Sequence, residues 1–135
     1  MARTEFELDQ YKKGNLIAWN ISTQCWNSVK VQIYAGSKVY FEGSKPFKPS
    51  GNMEVIGLDN SVLETDDVLK VSVEVPESSE IQSSIVSGAI SDKRARRVGY
   101  IYDICLEDQG DRDFNDVYIN IVGWKNQATE TSFRG

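Results

Sequence analysis

The residues with the greatest capacity for chemistry lie side by side. Glu107-Asp108-Gln109-Gly110-Asp111-Arg112-Asp113-Phe114-Asn115-Asp116 packs five carboxylates and an Asn into ten residues, with Arg112 the only countercharge. Two carboxylates about 5 Å apart repel by roughly 3 kcal/mol at an effective dielectric of about 20, and several such pairs add up. A bend this acidic between apolar strands would melt or take up protons unless a hard divalent cation held it. Calcium accepts about six to eight oxygen ligands in irregular geometry, so the set suits it better than magnesium. Nitrogen and sulfur donors, which borderline metals prefer, are missing from the segment. Asp111-x-Asp113-x-Asn115 has the spacing that opens an EF-hand loop. However, Asp116 stands where that loop needs Gly, and Val122 where it needs a bidentate Glu, so an EF-hand is rejected. A plain solvated turn would not need Phe114 between Asp113 and Asn115, nor strong strands on both sides. The acid/base pair of a glycosidase is a further reading, but such a pair normally faces a cleft from separate strands.

The remaining composition removes other chemistries. There is no histidine, hence no imidazole triad, no thiol–imidazole dyad and no imidazole-ligated zinc. Cys25 and Cys105 are too few for an all-thiolate zinc site; they read as two partly buried free thiols, with a disulfide as the alternative. A net charge of −5 makes the molecule as a whole repel nucleic acid and anionic membranes. No apolar run approaches the ~20 residues of a membrane span, so no membrane insertion is expected. Met1-Ala2-Arg3-Thr4-Glu5 lacks the apolar stretch of a signal peptide. The expectation is cytoplasmic synthesis, with release or surface association by another route left open.

Period-two alternation dominates the elements that must position the acidic segment, and no helical stripe of useful length occurs. Strands are expected at Thr4–Leu8, Leu16–Asn20, Val29–Ala35 and, after the Gly36-Ser37 turn, around Val39 and Phe41. Further strands follow at Met53–Leu58, Leu69–Val75, Ser84–Ile90, Val98–Leu106 and Val117–Ile121. About nine short strands at this spacing predict an all-β fold, an antiparallel β-sandwich in a single domain. Residues 1–124 form that domain in this reading and residues 125–135 a polar C-terminal tail.

With the acidic segment placed between the last two strands, the sequence resembles the bacterial calcium-mediated fucose/mannose-binding lectins. Their hallmark is a Glu-Asp-Gly-x-Asp-x-Asp-Tyr-Asn-Asp loop followed by an apolar strand ending in Trp. Glu107, Asp108, Asp111, Asp113, Asn115 and Asp116 match it, with Phe114 in place of Tyr and Trp124 closing the strand. Upstream, Phe6-x-Leu8, Ala18-Trp19-Asn20, Ser28-Val29-Lys30-Val31, Phe41-Glu42-Gly43-Ser44 and Val71-Ser72-Val73 fall in the family's order. The resemblance implies a lectin, not an enzyme, with two Ca²⁺ ions sharing carboxylates and sugar hydroxyls on the metal. It assigns Glu107, Asp111, Asp113 and Asp116 to the outer ion. Asp113, Asn115 and Asp116 also serve the inner ion, joined by Asn20 from the end of the second strand. Asp108 accepts a hydrogen bond from the sugar, to which Asp111 and Asp113 also lie close. Ser22, Thr23 and Trp26, in the loop after Asn20, shape specificity. Implied partners are fucose- or mannose-type glycans and further copies of the chain, as a dimer or higher oligomer.

The chain departs from the family pattern in three places. Gln109 replaces the Gly after Glu-Asp, and the Ile21–Ser28 loop is about two residues longer. Gly135, the counterpart of a C-terminal Gly that reaches a neighbour's calcium, falls eleven residues beyond Trp124. Two other features are set against bland readings. Lys93-Arg94-Ala95-Arg96-Arg97 reads as a solvated hairpin loop, with anion or nucleic-acid binding as the alternative. Trp19 and Trp124 read as core, and Trp26 as a half-exposed binding side chain. The main rival to the lectin is calcium as structural cement in an adhesion or assembly module.

Overall fold

The structure, a computed structural model, describes residues 1–49, 51–108 and 116–125. Its strands, in chain order, are β1 (Ala2–Leu8), β2 (Leu16–Thr23), β3 (Val29–Ala35), β4 (Lys38–Lys45), β5 (Glu54–Val62), β6 (Leu69–Val75), β7 (Gln82–Ser91), β8 (Arg97–Glu107) and β9 (Val117–Trp124). They form two antiparallel sheets, ordered β1-β6-β3-β4 and β5-β2-β9-β8-β7. The expected all-β sandwich is the observed one.

Alternation decides which face of each strand turns inward. Val29, Val31 and Ile33 of β3 meet Leu69, Val71, Val73 and Val75 of β6 on one inner face, all buried. The other inner face carries Ile17, Trp19 and Ile21 of β2, Tyr102, Ile104 and Leu106 of β8, and Val117, Ile119 and Ile121 of β9. Fully burying each aliphatic side chain contributes about 1.5–3 kcal/mol, so this layer is the main source of stability.

Two aromatic plugs close the open sides. Phe41 of β4 fits against Trp19, ring centroids 5.8 Å apart, and Gly43 and Gly57 leave it room because a Cβ on either would strike its ring. On the opposite side Tyr11 meets Tyr102 edge-on at 5.7 Å, and its hydroxyl donates to the carbonyls of Tyr100 and Ile121 at 2.8 and 3.3 Å.

Several strands outrun their sequence signatures. β2 continues from Asn20 to Thr23, because Ile21 and Thr23 keep the inward phase opposite Ile119 and Val117. β5 runs on to Val62 as an edge strand paired along β2, its Leu58 72% exposed. β7 is an edge strand with little burial, so its register comes from the ladder with β8 and not from a hydrophobic face. Trp124, expected in the core, instead lies on the outer face, 37% exposed, because the inward phase of β9 falls on the odd residues. Both cysteines are free: Cys25 is buried near the interior and Cys105 half-buried on the outer face of β8.

Candidate metal centre

Three strands bring the acidic residues to one end of the sandwich. β8 runs out at Glu107, β9 starts at Val117, and β2 finishes at Thr23, opposite Val117. Asp108 and Asp116 close the base of the connection on each other. Asp116 N donates to the Leu106 carbonyl at 3.1 Å, and Asp108 N donates to an Asp116 carboxylate oxygen at 2.9 Å. Gln24 N donates to the Asp116 carbonyl at 3.2 Å, tying the end of β2 to the same point.

One carboxylate oxygen from each of Glu107, Asp108 and Asp116 lies within 4.8 Å of the other two, and all three residues are buried. Burial and like charge both oppose ionisation. Burial, then the hydrogen bond with Glu107, pushes the Asp116 carboxyl up to about 8, against the pull of Asp108 N–H. Among the described residues, two buried oxygens here have no hydrogen-bond partner, Asp108 Oδ1 and Thr23 Oγ1. A buried polar atom left unpaired costs about 1–3 kcal/mol, so such atoms need an explanation. An all-oxygen donor set, clustered acids and orphaned oxygens together fit a hard cation.

The segment between β2 and β3 folds onto this cluster. Asn27 Nδ2 donates to Asp108 Oδ2 at 2.9 Å, which fixes the carboxylate with Oδ1 left over. Lys45, buried at the end of β4, holds that segment through the carbonyls of Asn27 at 2.7 Å and Trp26 at 3.4 Å, and also donates to the carbonyl of its neighbour Pro46 at 3.1 Å. Ser78 Oγ donates to the Asp108 carbonyl at 2.7 Å from the other side. Cys25 sits in the same neighbourhood; burial first, then nearby Asp108, push its thiol up to about 12, with Lys45 opposing. Sequence spacing gave no sign of Asn27, Lys45 or Ser78, because they come from separate parts of the chain and act only through the fold. The one available signal was a Lys at the inward end of a strand.

Among the residues expected at the site, Glu107, Asp108 and Asp116 are together, while Asp111, Asp113 and Asn115 lie outside the described residues. Asn20 is not brought to the described acids Glu107, Asp108 and Asp116. It pairs with Asn120, three register positions from Thr23, and accepts from Ser22 Oγ at 3.3 Å. The strand end expected at Asn20 is at Thr23 instead, so Ser22 and Thr23 are buried strand residues and not loop residues. Trp26 stands 57% exposed beside the Asn27–Lys45 contact.

The chain matches no known family model and no curated protein sequence. Solved structures do resemble it. The Ralstonia solanacearum high-affinity mannose-binding lectin superposes with a TM-score of 0.62 at 14% identity, over 84% of this chain and 91% of that one. The Chromobacterium violaceum lectin CV2L, solved in complex with alpha-methyl-fucoside, gives 0.60 at 14%, over 87% and 93%. The C-terminal domain of the BC2L-C lectin from Burkholderia cenocepacia gives 0.60 at 17%, over 88% and 97%. With its acidic cluster at the β8–β9 end of two antiparallel sheets, the chain therefore has the fold that these three bacterial lectins share.

Proposed function

We propose that the protein is a non-enzymatic, calcium-dependent carbohydrate-binding protein for fucose- or mannose-type sugars. The observation that carries this reading is the buried triad Glu107, Asp108 and Asp116, with one oxygen from each inside 4.8 Å and Asp108 Oδ1 without a partner among the described residues. Glu107 and Asp116 would hold the metal, a pair of Ca²⁺ ions, joined by Asp111, Asp113 and Asn115 by their place in the motif. Thr23 takes the position first expected for Asn20. Calcium bound there supplies open coordination positions for vicinal hydroxyls, so a small polar ligand needs little apolar burial.

The chain's own residues do the rest. Asn27 orients Asp108 to accept a hydrogen bond, and Lys45 keeps Asn27 in place. Trp26 presents an amphipathic ring beside the site, suited to one face of a sugar. The structural neighbours support the ligand class: one is a mannose-binding lectin and another was solved with a fucoside. Assembly into a homo-oligomer belongs to the same proposal.

Isothermal titration tests it. Heat from methyl mannoside or methyl fucoside is expected with calcium present and is expected to vanish with chelator. The second reading, calcium as structural cement, draws on the complete burial of Glu107. It predicts thermal stabilisation by calcium without any sugar response.

A further inference from the structure

We propose that the end of the sandwich opposite the carboxylate cluster docks on a phosphate-bearing surface, a layer of acidic lipid headgroups. It would do so through cations that the fold gathers from three separate segments. The first is the β7–β8 turn, which is rigid. Asp92 Oδ1 accepts from the backbone N–H groups of Arg94 at 2.8 Å and Arg96 at 3.0 Å, and Oδ2 accepts from Arg96 Nε at 2.9 Å. Two backbone bonds, Asp92 N to Arg96 O and Ala95 N to Asp92 O, close the turn, with Ala95 at φ 61° in the left-handed region. Residues held in that region cluster where a fixed loop shape matters. The side chains of Lys93 and Arg94 make none of these bonds and are exposed at the apex.

The other two segments are tied to the foot of this hairpin. The Arg97 guanidinium lies 4.8 Å over the Tyr100 ring and bonds Gln10 Oε1, which fixes the β1–β2 loop carrying Lys12 and Lys13 beside it. Lys125 N donates to the Val98 carbonyl at 3.2 Å, so Lys125 flanks the same foot. Residues 9–13, 92–97 and 125 hold seven Lys and Arg against two Asp, a surplus of five positive charges in a chain of net charge −5. Other acids at this end among the described residues, Glu64, Asp66 and Asp67, belong to the β5–β6 connection, where Glu64 pairs with Lys38 at 3.2 Å and Asp67 lies against Gly36; with these three and Lys38 counted the end still keeps a surplus of three positive charges.

Whole-molecule charge is therefore the wrong guide to this end. Val117 to Trp124 is seven strand steps. At roughly 3.3 Å each they span about 23 Å, against a screening length of about 8 Å in physiological salt. An anionic surface at the basic end feels little of the acidic site. The aromatic neighbours favour lipid over nucleic acid. Tyr11 is buried with its hydroxyl engaged, so it offers no stacking platform, whereas Trp124 is half-exposed beside Gly99, as interfacial tryptophans are.

The test is co-sedimentation of the full chain with vesicles of phosphatidylserine mixed into phosphatidylcholine, against phosphatidylcholine alone. Chelator is present throughout, so calcium bridging by the acidic end plays no part and the result is independent of the lectin reading. Binding to the mixed vesicles alone is expected, falling as salt rises and surviving millimolar inorganic phosphate. Lys93→Gln combined with Arg94→Gln should weaken it about twenty-five-fold, from about five-fold per cation near such a surface. Four results would overturn the proposal: equal binding to both vesicles, an unaffected double variant, full competition by free phosphate, or capture by duplex DNA or heparin with no vesicle binding.

Discussion

Asp116→Asn separates the cost of the acidic cluster from its use. Asn has nearly the shape of Asp, and its amide oxygen still accepts from Asp108 N, a 2.9 Å bond in the wild type. What disappears is one charge among three carboxylates within 4.8 Å. Each pair at that separation repels by about 3 kcal/mol at an effective dielectric of about 20. In chelator at pH 9, above the value of about 8 to which the Asp116 carboxyl is pushed, the variant escapes two such repulsions. Relaxation removes part of that, so a gain of about 3 kcal/mol is expected, or ~10 °C in Tm for a domain of this size. The folded-state pKa is raised above the unfolded value of 3.8, so the stability that this group contributes is present below about pH 4. It is lost as pH climbs through about 8, and the difference between variant and wild type grows over that window. Calcium reverses the order, since the wild type gains stability on binding and the variant gains much less. Thermal melts across pH, with and without calcium, read all of this. A variant no more stable than wild type in chelator at pH 9 would refute the electrostatic reasoning.

Other substitutions probe the frame around the acids. Asn27→Ala removes the donor that holds buried Asp108 and should cost about 1–3 kcal/mol in denaturant melts, with a further loss of sugar affinity when calcium is present. Lys45→Met removes the donor to the Asn27 carbonyl between β2 and β3 and to the Pro46 carbonyl after β4, and should lower sugar affinity more than it lowers calcium affinity, both read by titration calorimetry. Gly123→Ala puts a methyl group into the Tyr11 ring and 2.7 Å from Ile17, so the variant should unfold at lower denaturant by several kcal/mol, of the order of core overpacking. With its thiol pushed up to about 12, Cys25 should resist iodoacetamide at pH 8 in the native state and react on unfolding, as mass spectrometry of the labelled peptide would show.

The fold was legible wherever burial on one face imposes alternation. Leu69 to Val75 and Val117 to Ile121 declare their strands because every second side chain enters the core. The limits of β2 and β5 were not legible. Ile21-Ser22-Thr23 has no clean polar partner to its alternation, and Leu58-Asp59-Asn60 lies on an edge where exposure imposes no pattern. That error moved the expected strand-end residue from Thr23 to Asn20. The clustering of Glu107, Asp108 and Asp116 was readable from charge density alone. Its supports were not: Asn27 and Ser78 reach Asp108, and Lys45 reaches Asn27, across sequence separations that only the sandwich closes. The basic end was half readable, since the hairpin cations are contiguous, whereas Lys12, Lys13 and Lys125 join them only through Gln10 and Val98.

The most direct measurement is anomalous diffraction from a crystal grown with calcium and methyl mannoside. The account predicts calcium peaks about 2.3–2.6 Å from carboxylate oxygens of Glu107 and Asp116, with sugar hydroxyls completing the coordination. No anomalous density beside Asp116, or calcium there with water alone in saturating sugar, would contradict it.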